Sequence, residues 1–201
     1  RTAVGVLAVD GTAPRRGPRR EAWTAALAIA AGLYPSAVHR VSTRRVVGAE
    51  ILAALTREGL RRQPRRRLAR TQYAGPGPIL KRLAVDPLLS EAVGRAAGFA
   101  VRPAYTAVYM YDPPGSTVPP HLDTAHFALV LHIVLAHVGA PPGCGSALVV
   151  YGPGRRRRLP LAVGEAVLLC GRGAVHQWDP LGPREHRVMV AIGYRQGRPG
   201  R

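Results

Sequence analysis

Turn-forming residues interrupt the second half of the chain at short intervals. From residue 102 onward, apolar runs alternate with Gly, Pro and Asp positions about every 8 to 12 residues, a spacing typical of a β-sandwich or barrel. A further short strand is expected around His121. The pattern therefore predicts an α+β, mainly β fold with a double-stranded β-helix (jelly roll) core. The apolar runs predict strands at Ala104–Tyr111, Phe127–Ala136, Ala147–Tyr151, Arg157–Leu161, Ala166–Cys170, Ala174–Gln177 and Arg187–Tyr194.

The first hundred residues are mixed and mostly helical in pattern. Asp86 and Pro87 are well suited to the N-cap and first position of a helix, and the run Gly75-Pro76-Gly77-Pro78 is expected to break the chain. The expected elements are a strand at Thr2–Val9 and helices at Glu21–Leu33, Arg45–Arg62 and Asp86–Gly98.

The length of 201 residues suits a single domain over residues 1–201. In this prediction, a mostly helical support region (residues 1–100) buttresses the β-helix core (residues 101–195). The sequence has only two cysteines, Cys144 and Cys170, which cannot form a disulfide framework or a cysteine-rich zinc site. Free thiols, without a recognisable signal peptide, predict a cytoplasmic location. The apolar stretch Ala22–Leu33 is too short to cross a bilayer.

The chain is strongly basic, with a formal net charge of +18 from 29 basic and 11 acidic residues. Lys81 is the only lysine, and the abundance of Arg, Ala, Gly and Pro is typical of a GC-rich, bacterial genome. Such a bias accounts for the choice of arginine over lysine but not for the scarcity of acids. An anionic substrate or an acidic partner protein therefore stays open.

A histidine and an aspartate stand two residues apart at His121-Leu122-Asp123. In a strand, residues two apart point to the same side, so the imidazole and the carboxylate can bind one metal ion. Non-haem iron oxygenases complete such a pair with a second histidine and leave positions open on the iron. Because His-x-Asp is common by chance, the pair alone does not predict a metal site, and the surrounding sequence is needed to support one.

Further features surround this pair in a fixed order. The sequence YMYDPPG occupies positions 109–115 upstream, and Gly164 leads an apolar run downstream. His176 lies 55 positions after His121 (176 − 121) and 11 before Arg187 (187 − 176). Over residues 102–195, this order resembles the 2-oxoglutarate/iron(II) dioxygenase superfamily, including its prolyl-hydroxylase-like branch. The first hundred residues contain no recognisable motif.

The resemblance implies that His121, Asp123 and His176 bind Fe(II) and that 2-oxoglutarate and dioxygen are co-substrates. It also implies a hydroxylase that acts on an amino acid, a peptide, or a carrier-bound or small biosynthetic intermediate and releases succinate and carbon dioxide. A carrier-bound substrate would fit the basic chain, since carrier proteins are usually acidic. The carboxylate of Asp123 argues against halogenation, since halogenating relatives have a small residue there.

The resemblance also implies a binding site for the distal carboxylate of 2-oxoglutarate. Arg187 matches the family's arginine or lysine, whose bidentate geometry suits a carboxylate. The family often has Ser two residues later, where this chain has Met189, so Tyr111 or Tyr109 is the expected hydrogen-bonding neighbour. Arg184 is the alternative cation. Trp178 is a weaker candidate for the substrate side.

Other residues near the motif compete for these roles. His126, His132 and His137 are alternative metal ligands, although they lie in or beside an apolar run without a carboxylate partner. The run Arg155–Arg158 predicts a solvated hairpin tip, or an anion-docking patch.

Two other functions stay open. A nucleic-acid demethylating dioxygenase of the same superfamily agrees with the charge, but the segment Gly182–Arg187 lacks the Asn- and Arg-rich pattern of those relatives. Aromatic residues are also only 5% of the chain, which is poor for base stacking. A cupin-like metal-binding protein or isomerase would share the jelly roll, but the order of its ligands fits less well.

Overall fold

A computed structural model describes residues 38–41, 47–65, 70–123, 127–139, 147–152, 155–170 and 174–197. The expectations for Thr2–Val9, Glu21–Leu33, His126 and Cys144 lie outside these residues. Within them, no helix is long and apolar enough to cross a membrane. The helices are α1 (Ala49–Arg62), α2 (Pro78–Ala84) and α3 (Pro87–Ala97). The strands are β1 (Val38–Val41), β2 (Gln72–Ala74), β3 (Val101–Asp112), β4 (Val118–His121), β5 (Leu129–Val138), β6 (Ala147–Gly152), β7 (Arg155–Pro160), β8 (Ala166–Cys170), β9 (Val175–Trp178) and β10 (His186–Gln196).

The strands form two antiparallel sheets. The larger has the order β1-β8-β5-β10-β3-β2, and the smaller has the order β4-β9-β6-β7. The eight strands β3 to β10, which the sequence predicted with small differences at their ends, divide equally between the two sheets. This arrangement is the double-stranded β-helix, so the predicted fold class is confirmed.

Side chains along the strands of the larger sheet alternate between its two faces, and each face belongs to a separate apolar core. On β10, Val188, Val190 and Ile192 belong to the core between this sheet and the helices. Met189, which points the opposite way, belongs to the core between the two sheets with residues such as Leu148 and Trp178. The second core contains the site described below.

Three helices cover the outer face of the larger sheet. Helix α3 begins as predicted, with the Asp86 carboxylate accepting hydrogen bonds from the Leu88 and Leu89 amides. Helix α1 approaches β3 so closely at Gly59 that a Cβ there would lie 2.9 Å from the Tyr109 ring. These contacts agree with the predicted supporting role of the first half, and the domain boundaries themselves stay a prediction.

Three elements were not expected from the sequence. The Gly75–Pro78 segment does break the chain, but Pro78 also begins helix α2, because its fixed φ suits a first helical position. The short strands β1 and β2 pair at the two edges of the larger sheet. Strands of three or four residues carry too little apolar alternation to stand out in a sequence.

Candidate metal centre

His121, Asp123 and His176 come together where two strands of the smaller sheet pair. His121 ends β4 and lies directly opposite His176 on β9, while Asp123 follows two residues after the end of β4. The Asp123 Oδ1 atom is 3.8 Å from His121 Nε2 and 3.9 Å from His176 Nε2. The three ligand atoms all lie within 4.8 Å of one another, a spacing that could hold one metal ion.

Backbone carbonyls orient both imidazoles. His121 Nδ1 is 2.8 Å from the Pro119 carbonyl oxygen, and His176 Nδ1 is 2.9 Å from the Ala174 carbonyl oxygen. A carbonyl only accepts, so each Nδ1 carries the proton and each Nε2 presents a lone pair. Donation of the outer ring N–H to a carbonyl or carboxylate is typical of histidines that bind metals.

Two atoms of this group are buried and lack a hydrogen-bond partner among the described residues, Asp123 Oδ2 and His176 Nε2. Leaving buried polar atoms unpaired costs about 1–3 kcal/mol each, and a bound cation would remove that cost. Burial, and secondarily the nearby His176, lowers the pKa of His121 to about 4, although Asp123 opposes this shift. The neutral imidazole is the form that binds metals, so the donor set fits a divalent transition metal.

A cavity of about 190 Å³ opens at these three residues. Its lining comes mainly from the inward faces of both sheets, and none of the described residues that line it is an arginine or a lysine. Besides the three residues above, the lining consists of Tyr73, Thr106, Val108, Met110, Val118, Phe127, Val130, His132, Trp178, Ala191 and Gly193.

Comparison with solved structures finds the same architecture in a prolyl hydroxylase and in proteins described with 2-oxoglutarate (alpha-ketoglutarate). A Pseudomonas putida prolyl-4-hydroxylase matches with a TM-score of 0.59 and 19% identity, over 85% of this chain and 99% of the other. The non-heme alpha-ketoglutarate-dependent epimerase SnoN from nogalamycin biosynthesis matches with a TM-score of 0.60 and 18% identity, over 88% and 83%. HygX from Streptomyces hygroscopicus, solved with nickel, 2-oxoglutarate and hygromycin B bound, matches with a TM-score of 0.61 and 16% identity, over 82% and 84%.

The chain has the fold of the 2-oxoglutarate/iron(II) oxygenases. No family model matches its sequence, and no curated protein matches it either. At identities below 20%, these matches establish the oxygenase fold alone.

His132 lies in the cavity but outside the ligand group. It projects from β5, with its ring centroid 6.2 Å from that of His176 and 5.8 Å from that of Trp178. Burial is the main cause that lowers the pKa of His132 to about 4. Among the described residues, His121, Asp123 and His176 form the group whose ligand atoms lie within 4.8 Å of one another, and His132 is not a member of it. His137, the other described competitor, lies 3.5 Å from Glu185 and does not line the cavity.

Arg187 points into the space between the sheets, but a carboxylate of the chain already binds it. Its Nε and Nη2 atoms donate to Asp112 Oδ2 at 2.9 and 2.8 Å, and its guanidinium lies 4.2 Å from the centre of the Trp178 ring. Thr71 donates to the other Asp112 oxygen. Arg187 is 2% exposed and does not line the cavity, and its expected role toward a co-substrate stays a prediction.

Tyr109 and Tyr111, the expected neighbours of the co-substrate, do not line the cavity in this structure, and their role toward a co-substrate stays a prediction. Both side chains belong to the helix-facing core, on the opposite side of β3 from the cavity. The Tyr109 hydroxyl donates to Glu58 Oε1 and the Tyr111 hydroxyl donates to the Gly59 carbonyl, each at 2.7 Å. The residues of β3 that line the cavity have the opposite parity: Thr106, Val108 and Met110.

The remaining arginine candidates lie away from the cavity. Arg184 is exposed and does not line it. The run Arg155–Arg158 forms most of β7, where Arg156 to Arg158 are exposed as expected of a solvated segment. Arg156 and Arg158 pair with Asp179 at 3.4 and 2.8 Å, which neutralises part of the run.

Proposed function

We propose that this chain is a non-haem iron(II) oxygenase that uses 2-oxoglutarate and that His121, Asp123 and His176 hold the iron. The main support is the state of the two imidazoles: each Nδ1 is bound to a backbone carbonyl, which leaves each Nε2 free to coordinate beside Asp123. The oxygenase fold and a cavity at the same three residues add to this support.

The three candidate ligands have different roles in such a site. His121 and His176 supply neutral nitrogen ligands, and Asp123 supplies an anionic oxygen that offsets one of the two metal charges. Iron(II) bound in this way supplies oxidation of a C–H bond coupled to decarboxylation of 2-oxoglutarate. The apolar side chains Val108, Met110 and Val130 line the cavity and limit the entry of water.

We further propose hydroxylation of an amino acid, a peptide, or a carrier-bound or small biosynthetic intermediate, with release of succinate and carbon dioxide. Exposed Tyr73 and half-buried Phe127 line the cavity and offer aromatic surface. This surface is compatible with a small or extended substrate group. The structural neighbours include a prolyl hydroxylase and an epimerase, so the fold is compatible with more than one outcome. Cytoplasmic location and bacterial origin stay predictions.

The test is turnover of 2-oxoglutarate by protein purified without oxygen. Supplied with iron(II) and air, the wild type should form succinate slowly even without substrate, and omission of iron should abolish it. His176→Ala should be inactive, whereas His186→Ala, at a half-buried histidine that does not line the cavity, should match the wild type. Succinate formation by His176→Ala at the wild-type rate would contradict the proposal.

A further inference from the structure

The smaller sheet has an arginine in the same cross-strand row as one of the candidate metal ligands. The strand pairing places His176 of β9 opposite Val150 of β6, and Val150 opposite Arg157 of β7. Side chains of directly paired residues lie on the same face of a sheet. Arg157 therefore points to the face on which His176 lies, which is the face of the candidate metal centre.

The neighbouring row supports this orientation. Trp178, Leu148 and Leu159 pair across the same three strands, and all three belong to the core between the two sheets. Leu159 and Arg157 are two residues apart on β7, so both point inward. Leu159 is buried, whereas Arg157, which is nearer to the turn between β6 and β7 at the edge of the sheet, is exposed. The guanidinium is therefore open to solvent on the inward side of the sheet.

The described part of the chain provides no counter-charge for Arg157. None of the four strands of the smaller sheet contains an Asp or a Glu. Asp123, after β4, belongs to the candidate metal centre, and Asp179, after β9, pairs with Arg156 and Arg158, which alternate with Arg157 along β7. Among the described residues, the Arg157 guanidinium has no ion pair. Such a group is suited to bind an anion that comes from outside the protein.

The strand order sets the distance between Arg157 and the candidate metal centre. Strand β6 separates β7 from β9, and neighbouring strands lie about 4.8 Å apart, so the Cα atoms of Arg157 and His176 are roughly 10 Å apart. An anion at Arg157 is therefore on the order of 10 Å from a metal ion bound by His176. Extended chain covers about 3.3–3.6 Å per residue, so about three residues of a peptide, or an arm of similar length, bridge this distance.

We propose that Arg157 binds an anionic group of the substrate, a phosphate or a carboxylate, while a C–H bond about three residues' length away is oxidised at the metal centre. This inference rests on the proposed function, because the metal centre is taken to be the site of oxidation. It narrows the substrate to a peptide with an acidic group or to a carrier-bound intermediate with a phosphate-bearing arm. A free amino acid is too short to reach both places. In this role Arg157 is a specificity-determining residue.

Magnetic relaxation of small anions in the manganese(II)-loaded protein tests the proposal and does not require the substrate itself. Manganese(II) replaces iron(II) as a paramagnetic probe, and saturating 2-oxoglutarate occupies the positions on the metal that the protein leaves open. The probes are methyl phosphate, observed by phosphorus NMR, and acetate labelled at its carboxylate carbon, observed by carbon NMR. In the wild type we expect saturable relaxation enhancement for at least one probe, with a distance of roughly 10 Å from the metal. Tighter binding of methyl phosphate would favour the phosphate-bearing arm, and tighter binding of acetate would favour the acidic peptide.

The two faces of β7 provide the variant and its matched control. Arg157→Leu should weaken binding of the probe about 10- to 100-fold, which is the range for a hydrogen bond to a charged group. Arg157→Lys keeps the charge without the planar fork and should retain part of the affinity. Arg156→Leu, on the opposite face, should match the wild type. Because Arg157 is exposed, its replacement removes little packing, and thermal midpoints of all variants check that they are folded.

The outcomes separate failure of this inference from failure of the proposed function. If the manganese-loaded wild type enhances the relaxation of neither probe, the inference is overturned and the metal site stands. Equal enhancement in folded Arg157→Leu and in the wild type, or an equal loss in Arg156→Leu, would overturn it in the same way. If manganese(II) binds His176→Ala as tightly as it binds the wild type, the proposed function fails, and the inference fails with it.

Discussion

At the scale of single residues, the sequence predicted which residues meet at the candidate metal site better than it predicted the surroundings of Arg187. His121 and Asp123 belong to one short motif, and strand geometry alone places them on one side. Which face of β3 points inward depends on the absolute register of the sheet, which no local pattern in YMYDPPG reveals. The sequence therefore did not show that Tyr109 and Tyr111 face the helices, and the pairing of Asp112 with Arg187 was missed for the same reason.

The buried Asp112–Arg187 pair gives a stability prediction at this scale. Both side chains are 2% exposed or less, so Arg187→Met leaves a carboxylate buried without its counter-charge. We expect a loss of about 3–5 kcal/mol in the free energy of unfolding, and substantial recovery in Asp112→Asn/Arg187→Met. Urea denaturation followed by circular dichroism measures both. A single variant as stable as the wild type would show that the pair is not buried in solution.

At the scale of elements, Glu58 joins helix α1 to helix α2 and to the sheet. Its carboxylate accepts hydrogen bonds from the Ile79 and Leu80 amides, at the start of α2, and from the Tyr109 hydroxyl. A Cβ on Gly77 would lie 2.3 Å from that carboxylate, so the glycine is required for the approach. No pattern in the sequence indicates this contact, because the partners lie about 20 and about 50 positions from Glu58 and only the fold brings them together.

Replacement of Glu58 should therefore destabilise the whole helical layer. Glu58→Ala leaves two helix amides without an acceptor and leaves the buried Tyr109 hydroxyl with only the Leu55 carbonyl, 3.5 Å away. We therefore expect a loss of about 3 kcal/mol in the free energy of unfolding. Glu58→Gln keeps one acceptor oxygen and should lose less. Glu91→Ala, at an exposed acid of α3, serves as the control and should change stability by less than about 0.5 kcal/mol. Equal midpoints for Glu58→Ala and Glu91→Ala in chemical denaturation would contradict this role.

At the scale of the whole molecule, the sequence predicted the class of fold because each core strand carries its own apolar pattern between turn residues. The edge strands β1 and β2 lack such a pattern, and the order of the strands depends on contacts between distant segments. The net charge of +18 also belongs to this scale, and Asp179 offsets part of it by pairing with two of the exposed arginines.

Buried tyrosines of the helix-facing core predict the alkaline limit of stability. Burial raises the pKa of Tyr111 to about 12, with a further rise from Glu58 that Arg62 opposes, and burial also raises the pKa of Tyr109 and Tyr194. The folded chain thus keeps these phenols protonated, while the unfolded chain releases their protons near the ordinary value of 10. Their contribution to stability is complete below pH 10 and declines as the pH rises toward 12.

Thermal midpoints across this range, together with tyrosine absorbance, check the alkaline prediction. The phenolate signal of the three tyrosines should appear only as the protein unfolds. Full ionisation of all tyrosines in a protein that is still folded would refute the assignment of Tyr109 and Tyr111 to a buried core.

Calorimetric titration of metal-free protein with iron(II) under anaerobic conditions tests whether His121, Asp123 and His176 form one iron site. We expect one iron ion to bind per chain of the wild type and of His186→Ala. We expect no binding of comparable affinity for His121→Ala or His176→Ala, because each substitution removes one of the three proposed ligands. Wild-type affinity and stoichiometry in folded His176→Ala would rule out this iron site.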